Sequence, residues 1–266
     1  VEIHKGRANG IHLLARVLLA VSKKMELRLI TMSGGSKNNA IPNRAAAQVL
    51  IPAGQQAAFA ALVEEQIKGA QSEYIVTDPD LTANVCESDS SLAPLTLAAS
   101  KRVLALILAE PNGVQRMSTD IEGLTETSLN LGICDLDEKG LYMNYAVRTS
   151  VASALEPLTD KMVLIAQSLG ARADISGRYP AWEYVRESAL RQDMASIYRE
   201  MFGEELRIEA IHAGVECGIL AGKIDHLDAI SMGPNIYDIH TPQEHLSISS
   251  SKRMYDFIVR VIACRD

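Results

Sequence analysis

Six histidines, His4, His12, His212, His226, His240 and His245, are the side chains of this 266-residue chain best suited to hold a metal or move a proton. His4 and His12 fall at the start of an expected helix, eight residues apart, which at 1.5 Å per residue separates them by about 12 Å, too far to share one ion. Both read as surface or helix-end histidines, and His226 in K-I-D-H reads as loop surface. The run His240-Thr-Pro-Gln-Glu-His245 is superficially like H-x-x-E-H, which puts two metal ligands and a base on one helix. Its spacing is one residue too long, and Pro242 opposes a continuous helix between the two histidines. His240 is left as either one ligand of a site assembled from distant segments or a structural histidine.

Three other segments carry residue types that hold small molecules. In His212-Ala-Gly214-Val-Glu216-Cys-Gly218 the small residues let backbone approach a ligand, and Glu216 is able to accept a hydrogen bond from an amine. The bland alternative is a strand-to-helix turn with Glu216 as a first-turn acid, which the helix dipole favours. Asn39 stands just before the Ile41-Pro42 step of a glycine-rich loop, where it either contacts a ligand or satisfies a turn. Arg148 ends a long alternating strand; its guanidinium either clamps a carboxylate bidentately or pairs with a neighbouring acid.

Elements of both periods are needed to position these residues. Helical spacing is expected over 7–22, 55–70, 95–108, 158–169, 183–201 and 249–263, with a short helix opening near 216. Alternation or apolar runs bounded by Gly and Pro point to strands over 26–32, 45–51, 81–88, 114–119, 128–137, 141–149, 171–176, 206–211 and 227–231. In 26–32, Leu27, Leu29 and Thr31 are expected on one side, with Arg28, Ile30 and Met32 on the other. Asp137-Glu-Lys-Gly140 reads as the hairpin turn between the two longest strands. The pattern up to about 180 suggests an antiparallel sheet with helices on one face. Beyond it, strand, helix, strand, helix suggests part of a parallel sheet covered by helices.

Composition narrows the function. The chain is 47% hydrophobic and 22% charged with net charge −7, and no basic run exceeds two residues, so nucleic acid is a poor partner. No apolar run approaches the ~20 residues of a membrane span, and no signal peptide is expected. Cys86, Cys134, Cys217 and Cys264 stand 48, 83 and 47 residues apart, without a C-x-x-C pair. They read as buried or inert thiols in a reducing cytoplasm. The chain opens at Val1 and is soon in a helix, which reads as a piece of something longer.

Taken together, I-H-K-G-R-A-N (3–9), G-G-S-K-N-N-A-I-P-N-R-A (34–45), S-G-R-Y-P-A-W (176–182), I-H-A-G-V-E-C-G-I (211–219) and S-M-G-P-N-I-Y-D-I-H-T-P-Q-E-H-L (231–246) closely resemble, in this order, the bacterial aminoacyl-histidine dipeptidases. These Xaa-His, carnosine-hydrolysing enzymes belong to the wider group of dinuclear zinc aminopeptidases, carboxypeptidases and aminoacylases. The resemblance spans the chain but only about the second half of a typical member. It implies an α/β protein: residues 1–180 an α+β lid and dimerisation domain lacking its first strand, residues 181–266 the C-terminal part of an α/β zinc-peptidase domain. It implies His240 as a metal ligand, Asn39 and Arg148 as lid residues holding the substrate backbone and carboxylate, and Gly214 and Glu216 as pocket wall. It also implies two zinc ions, with Co or Mn as substitutes, a homodimer through the lid and a cytoplasmic location. The remaining ligands and the general-base Glu are expected upstream, so no catalytic residue is expected in this chain, which should be inactive alone. The alternatives are a related dinuclear zinc peptidase or aminoacylase with another substrate, and a non-catalytic dimerisation module.

Overall fold

Asn9 sets where the fold begins. In the computed structural model, which describes residues 3–209, 216–239 and 241–264, its side chain accepts hydrogen bonds from the backbone N–H groups of Ile11 and His12. This satisfies first-turn donors that would otherwise lack partners, so helix α1 runs Gly10–Ser22 and residues 7–9 lead into it. The elements that follow are β1 (Arg28–Gly34), β2 (Ala45–Leu50), α2 (Gln56–Glu73), α3 (Leu97–Ala109), β3 (Gly113–Met117), β4 (Thr125–Asp137), β5 (Gly140–Thr149) and α4 (Ala152–Ser168). They lie in the first of two compact units, Val1–Ser118 with Gly123–Gly177; the second is Thr119–Glu122 with Arg178–Asp266.

All five strands of the first unit pair antiparallel, in the order β2-β1-β4-β3, with β5 also on β4. β4 is the axis of the sheet. One of its edges takes β5 from Thr127 to Asp137, while the other is shared by β3, at 125–129, and β1, at 134–136. The core packs Ile11, Ala15 and Leu18 of α1, Phe59 and Val63 of α2, and Leu104 and Ile107 of α3 against Leu29, Met32, Leu131 and Cys134 of the sheet. Removing each such side chain from water contributes about 1.5–3 kcal/mol.

Several expected elements change. In β1 a register shift between Leu29 and Thr31 inserts a residue, so Leu29 and Met32 are both buried and the simple alternation fails. Residues 81–88 and 171–176 form no strand and are mostly exposed. The apolar residues there are too few and too scattered to bury a strand face. Of the thiols expected to be buried or inert, Cys86 and Cys264 are exposed, whereas Cys134 is buried and its thiol is pushed up to about 12 by loss of solvent.

In the second unit α5 (Ala189–Phe202) starts at Ser188, whose hydroxyl accepts from Arg191 N–H, and ends at Gly203 in the left-handed conformation, φ +67°. α6 (Glu216–Ala221), β6 (Ile236–Tyr237), β7 (His245–Leu246) and α7 (Ile248–Ala263) follow. Met194 and Ile197 of α5 pack against Phe257 and Val261 of α7, with Tyr198 edge-on to Phe257 at 5.3 Å. The Asp228 carboxylate accepts from the Ser188 hydroxyl and Leu190 N–H, tying the 227–231 segment to the start of α5. The strand expected over 227–231 is absent, as is strand structure in the described part of 206–211; the only described pairing in this unit is the antiparallel β6–β7.

Candidate functional site

Between its contacts with β3 and β1, the shared edge of β4 has a gap at residues 130–133. Side-chain amides close it. Asn112 Oδ1 accepts from Leu131 N–H at 2.8 Å, and Asn9 Nδ2 donates to the Leu131 carbonyl at 2.8 Å, so two carboxamides take the place of a strand's backbone. Asn130, itself buried, donates through Nδ2 to the carbonyls of Asn38, at 3.0 Å, and Ala40, at 2.8 Å. Its Oδ1 accepts from Asn9 Nδ2 at 3.3 Å. The turn carrying Asn39 is thereby fastened to β4, with the Asn39 side chain exposed. Gly132 allows that approach, since a Cβ there would overlap the Asn38 backbone; one on Gly35, at φ +73°, would overlap the Gly132 carbonyl.

Arg148 lies on β5 opposite Ser128, and Ala146 lies opposite Asn130. Cross-strand partners project to one face, and residues two apart on a strand share it, so Arg148 and Asn130 stand on the same face of the sheet, opposite Leu131 and the core. Half-buried Arg148 and the turn held by Asn130 are thus organised by one stretch of β4. A guanidinium and a carboxamide so presented are able to pair a carboxylate and hydrogen-bond an amide.

Of the residues expected from the second unit, Glu216 is exposed at the first position of α6. Gly218, two residues on, is buried: its added Cβ would sit 3.1 Å from the Pro180 carbonyl and 3.2 Å from Trp182 Cβ. The segment around Pro180 and the helix after Gly214 therefore pack together. Gly214 and His240, with His212, lie outside the described residues. On either side of position 240, Tyr237 and His245 form a cross-strand pair whose rings stack with centroids 5.2 Å apart. His245 Nδ1 lies 2.8 Å from the Gln243 carbonyl. Among the described residues no group of three or more His, Cys, Asp or Glu is placed to hold a metal ion, so these residues do not by themselves fit one.

Two titratable groups have properties the sequence reading did not give. His12, read as a surface or helix-end residue, lies in the first turn of α1 with its Nε2 buried and without a hydrogen-bond partner; desolvation lowers its pKa to about 4. Glu110, at the C-cap of α3, is 5% exposed and its Oε2 also lacks a partner; desolvation raises its pKa to about 7, opposed by Lys161. Glu110 in turn helps raise the Tyr145 phenol, after the larger effect of burial. A glutamate just before Pro111 at a helix end looks like a solvated residue in the sequence, and only tertiary packing buries it. Asn9 did leave a signal, because Asn before an apolar helical run is a favoured N-cap.

The antiparallel sheet backed by helices, with its polar loop pinned to the central strand, defines a mixed α/β protein, and residues 1–78 match the M20 peptidase dimerisation domain. The chain is homologous to dipeptidases. It is 28% identical over 261 residues to the cytosol non-specific dipeptidase of Escherichia coli K12, covering 98% of this chain and 54% of that protein. It is also similar to the crystal structure of aminoacylhistidine dipeptidase from Vibrio alginolyticus, at TM-score 0.91 and 31% identity, again over 98% of this chain and 54% of the other. The chain thus spans about half the length of the relatives it matches.

Proposed function

We propose that the chain is part of a metal-dependent, cytoplasmic dipeptidase acting on Xaa-His dipeptides such as carnosine. The observation that carries this reading is a likeness over 98% of the chain, at TM-score 0.91, to a structure described as an aminoacylhistidine dipeptidase. In the proposal residues 1–180 are the lid and dimerisation domain, and 181–266 the C-terminal part of the catalytic domain. The match of residues 1–78 to a dimerisation domain supports the homodimer. Arg148 would pair the substrate carboxylate, Asn39 would hold its backbone, and Gly214 and Glu216 would form pocket wall. His240 would be one ligand of a two-zinc site whose other ligands and general base come from a segment outside this chain. Such ions would supply a water activated for attack on the peptide carbonyl, and the residues named here would contribute binding and positioning. No described helix is long and apolar enough to cross a membrane.

A broader substrate range is the second reading, favoured by the non-specific dipeptidase among the relatives. The test is metal-dependent hydrolysis of β-alanyl-histidine, α-linked Xaa-His and unrelated dipeptides by the 266-residue chain and by a longer product containing it. Turnover by the longer product only, fastest on Xaa-His, is expected. Equal rates on all dipeptides favour the second reading, and turnover by the short chain overturns the shared metal site.

A further inference from the structure

Asn130 commits its side chain to the turn that carries Asn39. The Ala40 N–H donates to the Lys37 carbonyl at 3.3 Å, which closes a turn with Asn38 and Asn39 at its centre. The carbonyls of Asn38 and Ala40, on either side of Asn39, accept the two hydrogen bonds that Asn130 Nδ2 makes to them. Just beyond, Gly10 N–H at the start of α1 donates to the Pro42 carbonyl at 2.8 Å, so the chain is held on both flanks of Asn39.

Closing the gap in β4 does not account for this. The strand's own N–H and carbonyl at Leu131 are met by Asn112 and Asn9, so both donors of Asn130 are left to link strand to turn. Asn130 is 6% exposed, and its Oδ1 accepts from Asn9 Nδ2, which fixes the orientation of the carboxamide. Asn39 itself stays exposed, so the bracing does not serve to bury it. Arg148 is placed by the same strand: it lies opposite Ser128, two residues or about 7 Å along β4 from Asn130.

We propose that Asn130 is a positioning residue for peptide binding. By holding the carbonyls that flank Asn39, it keeps that carboxamide in a set place relative to Arg148, and the turn need not be ordered when substrate arrives. The proposal rests on the dipeptidase reading and adds to it a residue that touches no substrate. A polar contact is worth most over a few tenths of an ångström, and a 1 Å misplacement can cost about 100-fold in rate.

A double-mutant cycle in the longer product tests it, read as kcat/KM for an Xaa-His dipeptide. Asn39→Ala is expected to lower kcat/KM about 10–100-fold. Asn130→Ser, whose hydroxyl is too short to reach both carbonyls, is expected to lose about tenfold alone but less than about twofold on top of Asn39→Ala. Its effect should divide between KM and kcat as that of Asn39→Ala does. Gly132→Ala, whose added Cβ would overlap the Asn38 backbone, displaces the same turn with Asn130 intact and gives the same readout if Asn130→Ser fails to fold. Losses that multiply across the two positions mark a merely structural role and overturn the proposal, with the dipeptidase reading intact. Unchanged kcat/KM in Asn130→Ser beside an impaired Asn39→Ala also overturns it. No effect of Asn39→Ala removes Asn39 from the site and the proposal with it. No turnover of any dipeptide by the wild-type longer product overturns the dipeptidase reading on which the proposal stands.

Discussion

Glu110 and His12 are shifted in opposite senses by the same physical cause, and the consequence is measurable. Between about 4.5 and about 7 the folded chain keeps the Glu110 proton that the unfolded chain has released, so stability falls as pH rises. For His12 the unfolded chain takes up a proton below 6.5 that the folded chain accepts only near pH 4, so stability falls as pH drops through that window. In the wild type the two slopes oppose each other where they overlap. Glu110→Gln should expose the His12 slope, with the melting temperature declining more steeply on acidification from pH 6.5. His12→Gln should expose the Glu110 slope, with a decline as pH rises toward 7. Thermal unfolding across this range checks both, and parallel profiles for the two variants would refute the assignment. Arg148 belongs to the same scale: in the longer, active product Arg148→Ala is expected to cost about 2–4 kcal/mol in kcat/KM, as for a lost charge-assisted bidentate contact. An unchanged kcat/KM would remove Arg148 from the site.

At the scale of elements, β4 explains how a loop becomes part of a rigid surface. Its edge is paired by strands at both ends and by Asn9, Asn112 and the 38–40 turn in the middle. Asn130→Ala removes two donors to that turn and the acceptor used by Asn9, and should cost about 1–3 kcal/mol in chemical denaturation. In hydrogen exchange the released turn should lose protection, with the ends of β4 unaffected. In the second unit Phe257 of α7 is 2% exposed between Tyr198 and Phe202. Phe257→Ala should cost about 3–5 kcal/mol, read from the unfolding transition that includes α5 and α7.

For the whole molecule, the chain divides into two units with separate hydrophobic clusters, one built on the five-stranded sheet and one on the α5–α7 pair. The first unit carries the match to a dimerisation domain, so the proposed homodimer predicts twice the chain mass of 28.9 kDa in sedimentation equilibrium. A truncation after residue 177 should remain dimeric if the first unit carries the interface. A monomeric truncation from a dimeric chain would move the interface to the second unit.

Periodicity was enough to read α1, α2, α3, α5, α7 and the β4–β5 hairpin, because each buries one regular stripe or face whose spacing is written in the chain. The five quoted motifs, in their order, were enough to indicate dipeptidase relatives. Sequence alone misplaced what depends on distant partners. The β1 irregularity overrides a plausible alternation, and 81–88, expected as a strand, forms none and is mostly exposed. Among the described residues no strand pairs with the 227–231 segment, which is tied down by Asp228. Asn130, Glu110 and His12 are ordinary letters in ordinary places. Their roles arise from residues as far as 121 positions away and from the loss of water around them, neither of which has a signature in local spacing. Local sequence therefore determined which segments fold and into what; tertiary packing decided which polar groups are held dry, and a polar group changes its chemistry only when water has been taken from it.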